Sequence, residues 1–465
     1  MKLPVLPSRW PRLLLVLLIV QAPLIFNPGW FSHDELQWAA RADVAHFRDL
    51  PWVPWGDLAA FQYRPLTFNL WLVLSWLAFA TPWLMHGLFV MLGSINALLI
   101  AAVLRAAAVP SRTAAAAAIV FVLTPYVVYV HGWVGTLADL LVLLAGLGAL
   151  RLLQVSAHAP WARQAMATVL VALLVAMALL AKESAIVLPA LLLPALYRHP
   201  RPRRALAMIA LASLPVLGYL ALRFATLLGA PGAHEGYAWA WPNLPARLAE
   251  YLLFPFMPSL FEVGTTLAKS PARLAAAAAC LAALLAALAW RGWRWPLAWL
   301  ALVVALLTPV LILATSSGQY AYLASAAAVG LAAAAWPRLA RAPRIALSGA
   351  SVVVIVHGLA VMAAMVQVGQ IQHRFDADLR AILASGIEAP AIAPAADARA
   401  WMLRRFLHQV PRYAGARIAQ PGQAPRYIMQ RNGHLLPAPA QASPGPSMAP
   451  VPRAAGESAR RDQSW

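Results

Sequence analysis

Leu66-Thr67-Phe68-Asn69-Leu70-Trp71-Leu72-Val73-Leu74-Ser75-Trp76-Leu77-Ala78-Phe79-Ala80-Thr81-Pro82 is a run of seventeen residues without a single charge. Whether it crosses a bilayer decides the topology of everything after it. Read as a crossing segment, it inverts every later loop and puts most of the basic residues outside. Read as a helix lying along the outer membrane surface on its Trp-rich face, it leaves the loops at Arg105/Arg112, Arg151/Arg163, Arg198/Arg201/Arg203/Arg204, Arg291/Arg294 and Arg338/Arg341/Arg344 all cytoplasmic. Short cytoplasmic loops of membrane proteins carry an excess of Lys and Arg, so the second reading is adopted.

The rest of the chain has the same character. Of 465 residues 62% are hydrophobic and only 11% charged, and mean hydropathy is +0.69. Apolar blocks near the length that crosses a bilayer, about 20 residues, recur along it. Spans are expected near 11–27, 84–104, 113–130, 138–153, 164–181, 184–197, 205–227, 272–290, 295–315, 319–336 and 345–366. The fold class is therefore an all-α polytopic membrane protein of about 11 transmembrane helices, with juxtamembrane helices in the first outer loop. Basic residues Lys2, Arg9 and Arg12 precede the first block as in a signal peptide. The following Asn27-Pro28-Gly29-Trp30 lacks a small-x-small cleavage pattern, so an uncleaved first span is expected.

The formal charge of +20 does not point to nucleic acid, because the Arg residues are dispersed over short inter-span loops. One cysteine, Cys280, lies in an apolar block and allows no intrachain disulfide or thiolate metal site. Acidic residues check the topology independently. Residues 1–366 contain Asp34, Glu35, Asp43, Asp49, Asp57, Asp139, Glu183, Glu235, Glu250 and Glu262, and all ten fall at or beyond the outer face. Of the 24 Lys and Arg in that stretch, 16 fall in cytoplasmic segments. Two long outer loops follow, 28–83 and 228–271, and residues 1–366 read as one transmembrane domain. The odd span count puts the tail 367–465 outside; it is Ala- and Pro-rich and expected to be partly disordered from about 435.

Candidate chemistry lies at that outer face. Phe31-Ser32-His33-Asp34-Glu35-Leu36 opens the first loop with adjacent carboxylates, which suit a general base or a metal ligand. Ser32 with Glu35 also reads as a capping box that starts a helix through Phe47. Tyr63-Arg64-Pro65-Leu66 closes the loop with an outer-side Arg, fitted either to a phosphate oxygen or to snorkelling beside headgroups. Asp139, after His131-Gly132-Trp133-Val134-Gly135-Thr136-Leu137-Ala138, reads as a helix N-cap or as a functional carboxylate at a costly depth. Lys182-Glu183-Ser184 marks a hairpin or offers an ammonium to a lipid phosphate; neighbours on a helix do not pair with each other. Arg223 sits within the seventh span one turn after Tyr219, and Tyr320-Ala321-Tyr322 joins the ninth and tenth spans, where aromatic-belt residues are the ordinary reading.

In order and context these segments resemble the integral-membrane glycosyltransferases of the GT-C superfamily: protein O-mannosyltransferases, the tetratricopeptide-linked transmembrane O-mannosyltransferases and the bacterial aminoarabinose transferases of lipid A. Asp34-Glu35 matches the acidic motif after the first span, Tyr63 to Leu66 the Tyr-Arg-Pro-Leu run, and Lys182-Glu183 the Lys-Glu pair. Arg223 and Tyr320-Ala321-Tyr322-Leu323 match later features, and Gly135 to Leu141 is similar to a Gly-Arg-Ala-Asp-Leu-Leu segment with Thr136-Leu137 in place of the Arg. Gln319 stands where Arg is common, and 367–465 shows no 34-residue repeat.

The resemblance implies transfer of a sugar from a polyprenyl-phosphate donor to an acceptor protein, lipid or glycan at the periplasmic face of a bacterial inner membrane. Asp34, with Glu35 and Asp139, would be catalytic, and Arg64, Lys182 and Arg223 would neutralise the donor phosphate. His33, His131, Glu183, Tyr320 and Tyr322 are further candidates; Asp34 would take the acceptor proton, and Asp139 would orient the acceptor or share a divalent metal with Asp34. A lipid transporter or flippase, which predicts mid-membrane polar residues and internal repeats, and a non-catalytic envelope scaffold are the rival readings.

Overall fold

The computed structural model describes residues 10–197, 199–229, 238, 240–387, 389–407, 416–420 and 423–439. Expectations that fall on Lys2, Arg9, Arg198, Glu235 and residues 440–465 lie outside them. The chain is an all-α polytopic membrane protein that forms two compact units, residues 1–27 with 41–365 and residues 28–40 with 366–465. Residues 28–40 of the first loop belong to the C-terminal unit.

Among the described residues, eight of the eleven blocks read as spans are helices long and apolar enough to cross a membrane: Pro82–Ala106, Val134–Ser156, Trp161–Ala181, Pro202–Leu227, Pro271–Ala289, Arg294–Leu311, Gly318–Arg338 and Arg341–Ala384. Several open on proline, whose missing N–H costs nothing in a first turn. The block at 113–130 is a bent pair, Ser111–Val122 and Pro125–Gly132, meeting at 63°. Proline disfavours helical geometry in the residue before it, and Thr124 is extended (φ −72°, ψ 146°). A Cβ at Gly358 would lie 1.8 Å from the Leu123 carbonyl oxygen at this break, so only glycine allows helix Arg341–Ala384 to pass there.

The remaining two blocks are short. Trp10–Val20 and Ala22–Ile25 are interrupted at Gln21, and Glu183–Leu196 is a chain of 3₁₀ and α turns with Pro189 and Pro194 inside it. Pro65–Ala78, the decisive run, is a helix of 14 residues. At 1.5 Å per residue it reaches about 21 Å, less than the roughly 30 Å of a hydrocarbon core.

Packing separates core-facing from lipid-facing helices. Val134–Ser156 sits at the centre, with 72% of its most apolar window buried. Trp161–Ala181 instead exposes Met166, Val169, Leu170, Leu173 and Met177 along one stripe. Such a stripe is stable against acyl chains and would be a liability in water.

The C-terminal unit begins where the 44-residue helix Arg341–Ala384 turns polar. It adds a short helix, Ala400–Leu407, and a four-stranded sheet in the order β2-β1-β3-β4, with β1 Ala391–Pro394, β2 Arg417–Ile418, β3 Tyr427–Met429 and β4 Leu435–Pro437. The β1–β2 and β1–β3 pairings are parallel and β3–β4 antiparallel. The tail is thus not wholly α-helical, and β4 gives ordered structure at residues expected to begin the disordered end. Residues 28–40 pack on the helix: Trp30 N donates to Gln372 Oε1 at 3.0 Å, and a Cβ at Gly29 would lie 2.0 Å from Gly369 O.

Candidate functional site

The main unit gathers charges from segments far apart in sequence. The Val134–Thr136 turn leads into helix Leu137–Ser156, and Thr136 Oγ1 donates to Val130 O and Trp133 O, both at 2.6 Å. That hydroxyl, standing where the resembled motif has Arg, fixes the turn. Asp139 follows in the helix's first turn and is not its N-cap, which is Thr136. Lys182 ends helix Trp161–Ala181 in an extended conformation, and its Nζ donates to Asp139 Oδ1 at 2.6 Å and Oδ2 at 2.7 Å. Glu183 begins the next turn and faces elsewhere, accepting from Arg64 Nε at 2.8 Å. The adjacent Lys and Glu therefore pair with two different partners.

Three bracing contacts surround these pairs. Thr67, one turn after Arg64, donates to Ala181 O at 2.8 Å. The Tyr320 ring lies 5.3 Å below the Lys182 ammonium. Tyr219 interacts electrostatically with Glu183, Arg223 and Arg64. Arg223 is fully buried and donates from Nη2 to Phe61 O at 3.1 Å and from Nη1 to Leu58 O, while Tyr63 lies under its guanidinium at 5.4 Å. Its Nε is buried without a partner among the described residues. Arg64, Lys182 and Arg223 against Asp139 and Glu183 leave one net positive charge (3 − 2).

A second network lies deeper. His131 Nε2 pairs with Tyr322 Oη at 2.9 Å and Nδ1 with Gln21 Oε1 at 2.6 Å. Asn96 donates to Tyr322 Oη at 3.3 Å and to Leu140 O at 3.1 Å, and Gln21 donates to Ser94 Oγ at 3.2 Å. Tyr320 and Tyr322, read together from sequence, thus serve different networks. A third set was not anticipated: Arg247 Nη1 donates to Glu250 Oε2 at 2.5 Å and to Ser316 Oγ at 3.0 Å, and Ser316 donates to Glu250 Oε2 at 3.0 Å. Burial raises the Glu250 pKa, and Arg247 opposes that rise. The Arg-x-x-Glu spacing at 247–250, one helical turn, was its sequence signal.

An apolar cavity of about 540 Å³ runs beside these sets. Arg112, Tyr126, Tyr251, Ala321 and Trp336 line it together with many alanine, valine and leucine side chains. Ala321 is the residue after Tyr320.

In the C-terminal unit the acidic motif folds as a capping box. Helix His33–Arg41 starts after Ser32, and Ser32 N donates to Glu35 Oε2 at 2.7 Å. Glu35 is 2% exposed, whereas Asp34 is half-buried. Burial first, and the neighbouring Asp34 charge second, push the Glu35 carboxyl up to about 8. Glu35 is thereby committed to structure.

Among the described residues no three His, Cys, Asp or Glu side chains gather as a metal site. Both Asp139 oxygens already accept from an ammonium, so this carboxylate does not fit a divalent cation, and no step is drawn through one.

The arrangement of helices matches a known one. The crystal structure of ArnT from Cupriavidus metallidurans bound to undecaprenyl phosphate superposes with a TM-score of 0.51 over 87% of this chain and 86% of that one, at 13% sequence identity. The chain shares the fold of that structure. At this identity the likeness extends to fold alone. No protein-family model matches the sequence, and no curated protein matches it. Within this fold Asp139, Lys182, Glu183, Arg64 and Tyr320 all stand at helix ends, brought together by tertiary packing.

Proposed function

We propose that this protein is a membrane glycosyltransferase of the bacterial inner membrane that moves a sugar from a polyprenyl-phosphate donor to an extracytoplasmic hydroxyl of a protein, lipid or glycan. The observation that carries this reading is the cluster of Arg64, Lys182 and Arg223, which keeps one net positive charge after its two carboxylates and includes a buried guanidinium Nε without a partner among the described residues. Charge developing on a departing phosphate is stabilised by such fixed cations more than by a proton. The apolar cavity lined by Ala321 offers room for an isoprenoid chain, and the lipid phosphate bound to ArnT supports the same donor class.

In the proposed reaction the acceptor oxygen attacks the anomeric carbon while the bond from that carbon to the phosphate oxygen breaks. The bonding pair leaves with the polyprenyl phosphate, and the acceptor proton passes to the Asp34 carboxylate. A single displacement inverts the anomeric configuration.

The test is transfer of labelled sugar from a panel of polyprenyl-phosphate donors in membranes holding equal amounts of the intact chain or the Asp34→Asn variant. Loss in the variant supports the carboxylate mechanism. Equal transfer removes Asp34 as the base. No transfer by either protein across the panel overturns the reading in favour of a scaffold or transporter.

A further inference from the structure

The C-terminal unit contains a second pocket, of about 500 Å³, with a different chemistry from the cavity of the main unit. One wall is a single face of helix Arg341–Ala384, where Gln367, Gln370, Ile371 and Arg374 recur at the i, i+3, i+4, i+7 spacing. The facing wall comprises Asp397 and the turn between β3 and β4, through Gln430, Arg431 and Asn432.

The turn is fixed on the helix. Gln430 N donates to His434 O at 2.8 Å, and Gly433 N donates to Gln430 O at 2.9 Å. Gly433 has φ +96°, and a Cβ there would lie 2.2 Å from Ile371 O, so glycine is required by conformation and by proximity alike. Asp378 Oδ2 accepts from Leu435 N at 2.9 Å and pairs with His434 Nδ1 at 3.0 Å, tying down the residues after the turn. Arg374 Nη1 donates to Asn432 O at 3.4 Å, joining the two walls. These bonds hold the two walls in place around an open groove of about 500 Å³ whose polar side chains are mostly exposed.

Its chemistry narrows the ligand. Four side-chain amides line the pocket; Asn432 Oδ1 already accepts from His434 N at 3.2 Å, while Gln367, Gln370 and Gln430 present donors and acceptors, the pattern that pairs with adjacent hydroxyls. Two guanidinium groups against one carboxylate leave one net positive charge (2 − 1), and guanidinium forks suit carboxylate or phosphate oxygens. Ile371 is the sole apolar side chain of the lining, which excludes a large apolar ligand. We propose that this pocket binds a saccharide carrying an anionic group. The proposal goes beyond sugar transfer and does not depend on it.

The test is calorimetric binding to the full-length protein in nanodiscs. The probes are a glucuronic-acid-containing tetrasaccharide, a neutral glucose tetrasaccharide and inorganic phosphate. The acidic tetrasaccharide is expected to bind at least about ten-fold tighter than either of the others, which corresponds to about 1.4 kcal/mol. Arg374→Gln combined with Arg431→Gln, both at exposed positions, is expected to weaken its binding by about ten-fold or more with the thermal midpoint unchanged. The same tetrasaccharide on a lipid anchor in the nanodisc separates the two sources: tighter binding of the anchored form assigns a glycolipid headgroup, and equal affinity a free glycan. Absence of saccharide binding, undiminished binding to the double variant, or phosphate binding as tightly as the saccharide would each overturn the proposal.

Discussion

Lys182 Nζ donates to both carboxylate oxygens of Asp139, at 2.6 and 2.7 Å, in a setting where each side chain is about one-twentieth exposed. Buried pairs of this kind cost desolvation that their attraction roughly repays, but removing one partner leaves an unpaired buried charge. Lys182→Met or Asp139→Leu alone should therefore destabilise the protein by about 3–5 kcal/mol. The double variant should recover most of that loss. Thermal unfolding in detergent checks this, and additive losses in the double variant would contradict it. A double variant that is stable yet unable to transfer sugar would separate the pair's chemical role from its structural one.

Arg223 holds the first outer loop through the carbonyls of Leu58 and Phe61. Hydrogen bonds from a charged donor contribute about 1.5–3 kcal/mol each. Arg223→Met should loosen residues 55–63 while leaving the spans intact. Hydrogen exchange should rise in that segment and stay unchanged in Val134–Ser156; uniform exchange across both would show that the guanidinium does not anchor the loop.

Gly93 faces the imidazole of His131, and a Cβ there would lie 2.2 Å from Nε2. Gly93→Ala must displace the ring and with it the hydrogen bond to Tyr322. An overpacking loss of about 1–3 kcal/mol is expected. The thermal midpoint of the purified variant measures it, and His131→Ala on the same background should relieve part of the clash.

Glu35 sets a pH dependence of known sign. Its carboxyl rises from 4.5 to about 8 on folding, so between those values the folded state binds more protons than the unfolded one. This contribution is fully present below pH 4.5, falls as pH rises and is lost once pH passes about 8. Glu35→Gln keeps an acceptor for Ser32 N and cannot ionise. Chemical unfolding of the variant should show a flatter stability profile across this window, and an unchanged slope would assign the dependence elsewhere.

Much of this was legible in the chain. The apolar blocks and the dispersed arginines determined that it spans a membrane repeatedly, because a hydrocarbon layer imposes length and composition on each helix separately. The capping role of Glu35 was equally local, since Ser32 and Glu35 lie three residues apart. Proline positions hinted at breaks, although the 63° bend before Pro125 needed the close passage of Gly358 to settle it.

Tertiary structure alone decided which charges meet. Sequence placed Lys182 beside Glu183, but packing paired Lys182 with Asp139, 43 residues away, and Glu183 with Arg64, 119 residues away. It also sent Tyr320 and Tyr322 to different networks, and folded residues expected as a disordered end into β4. Composition and periodicity act within one helix, whereas a side-chain partner depends on the directions in which several helices meet, which no single segment encodes.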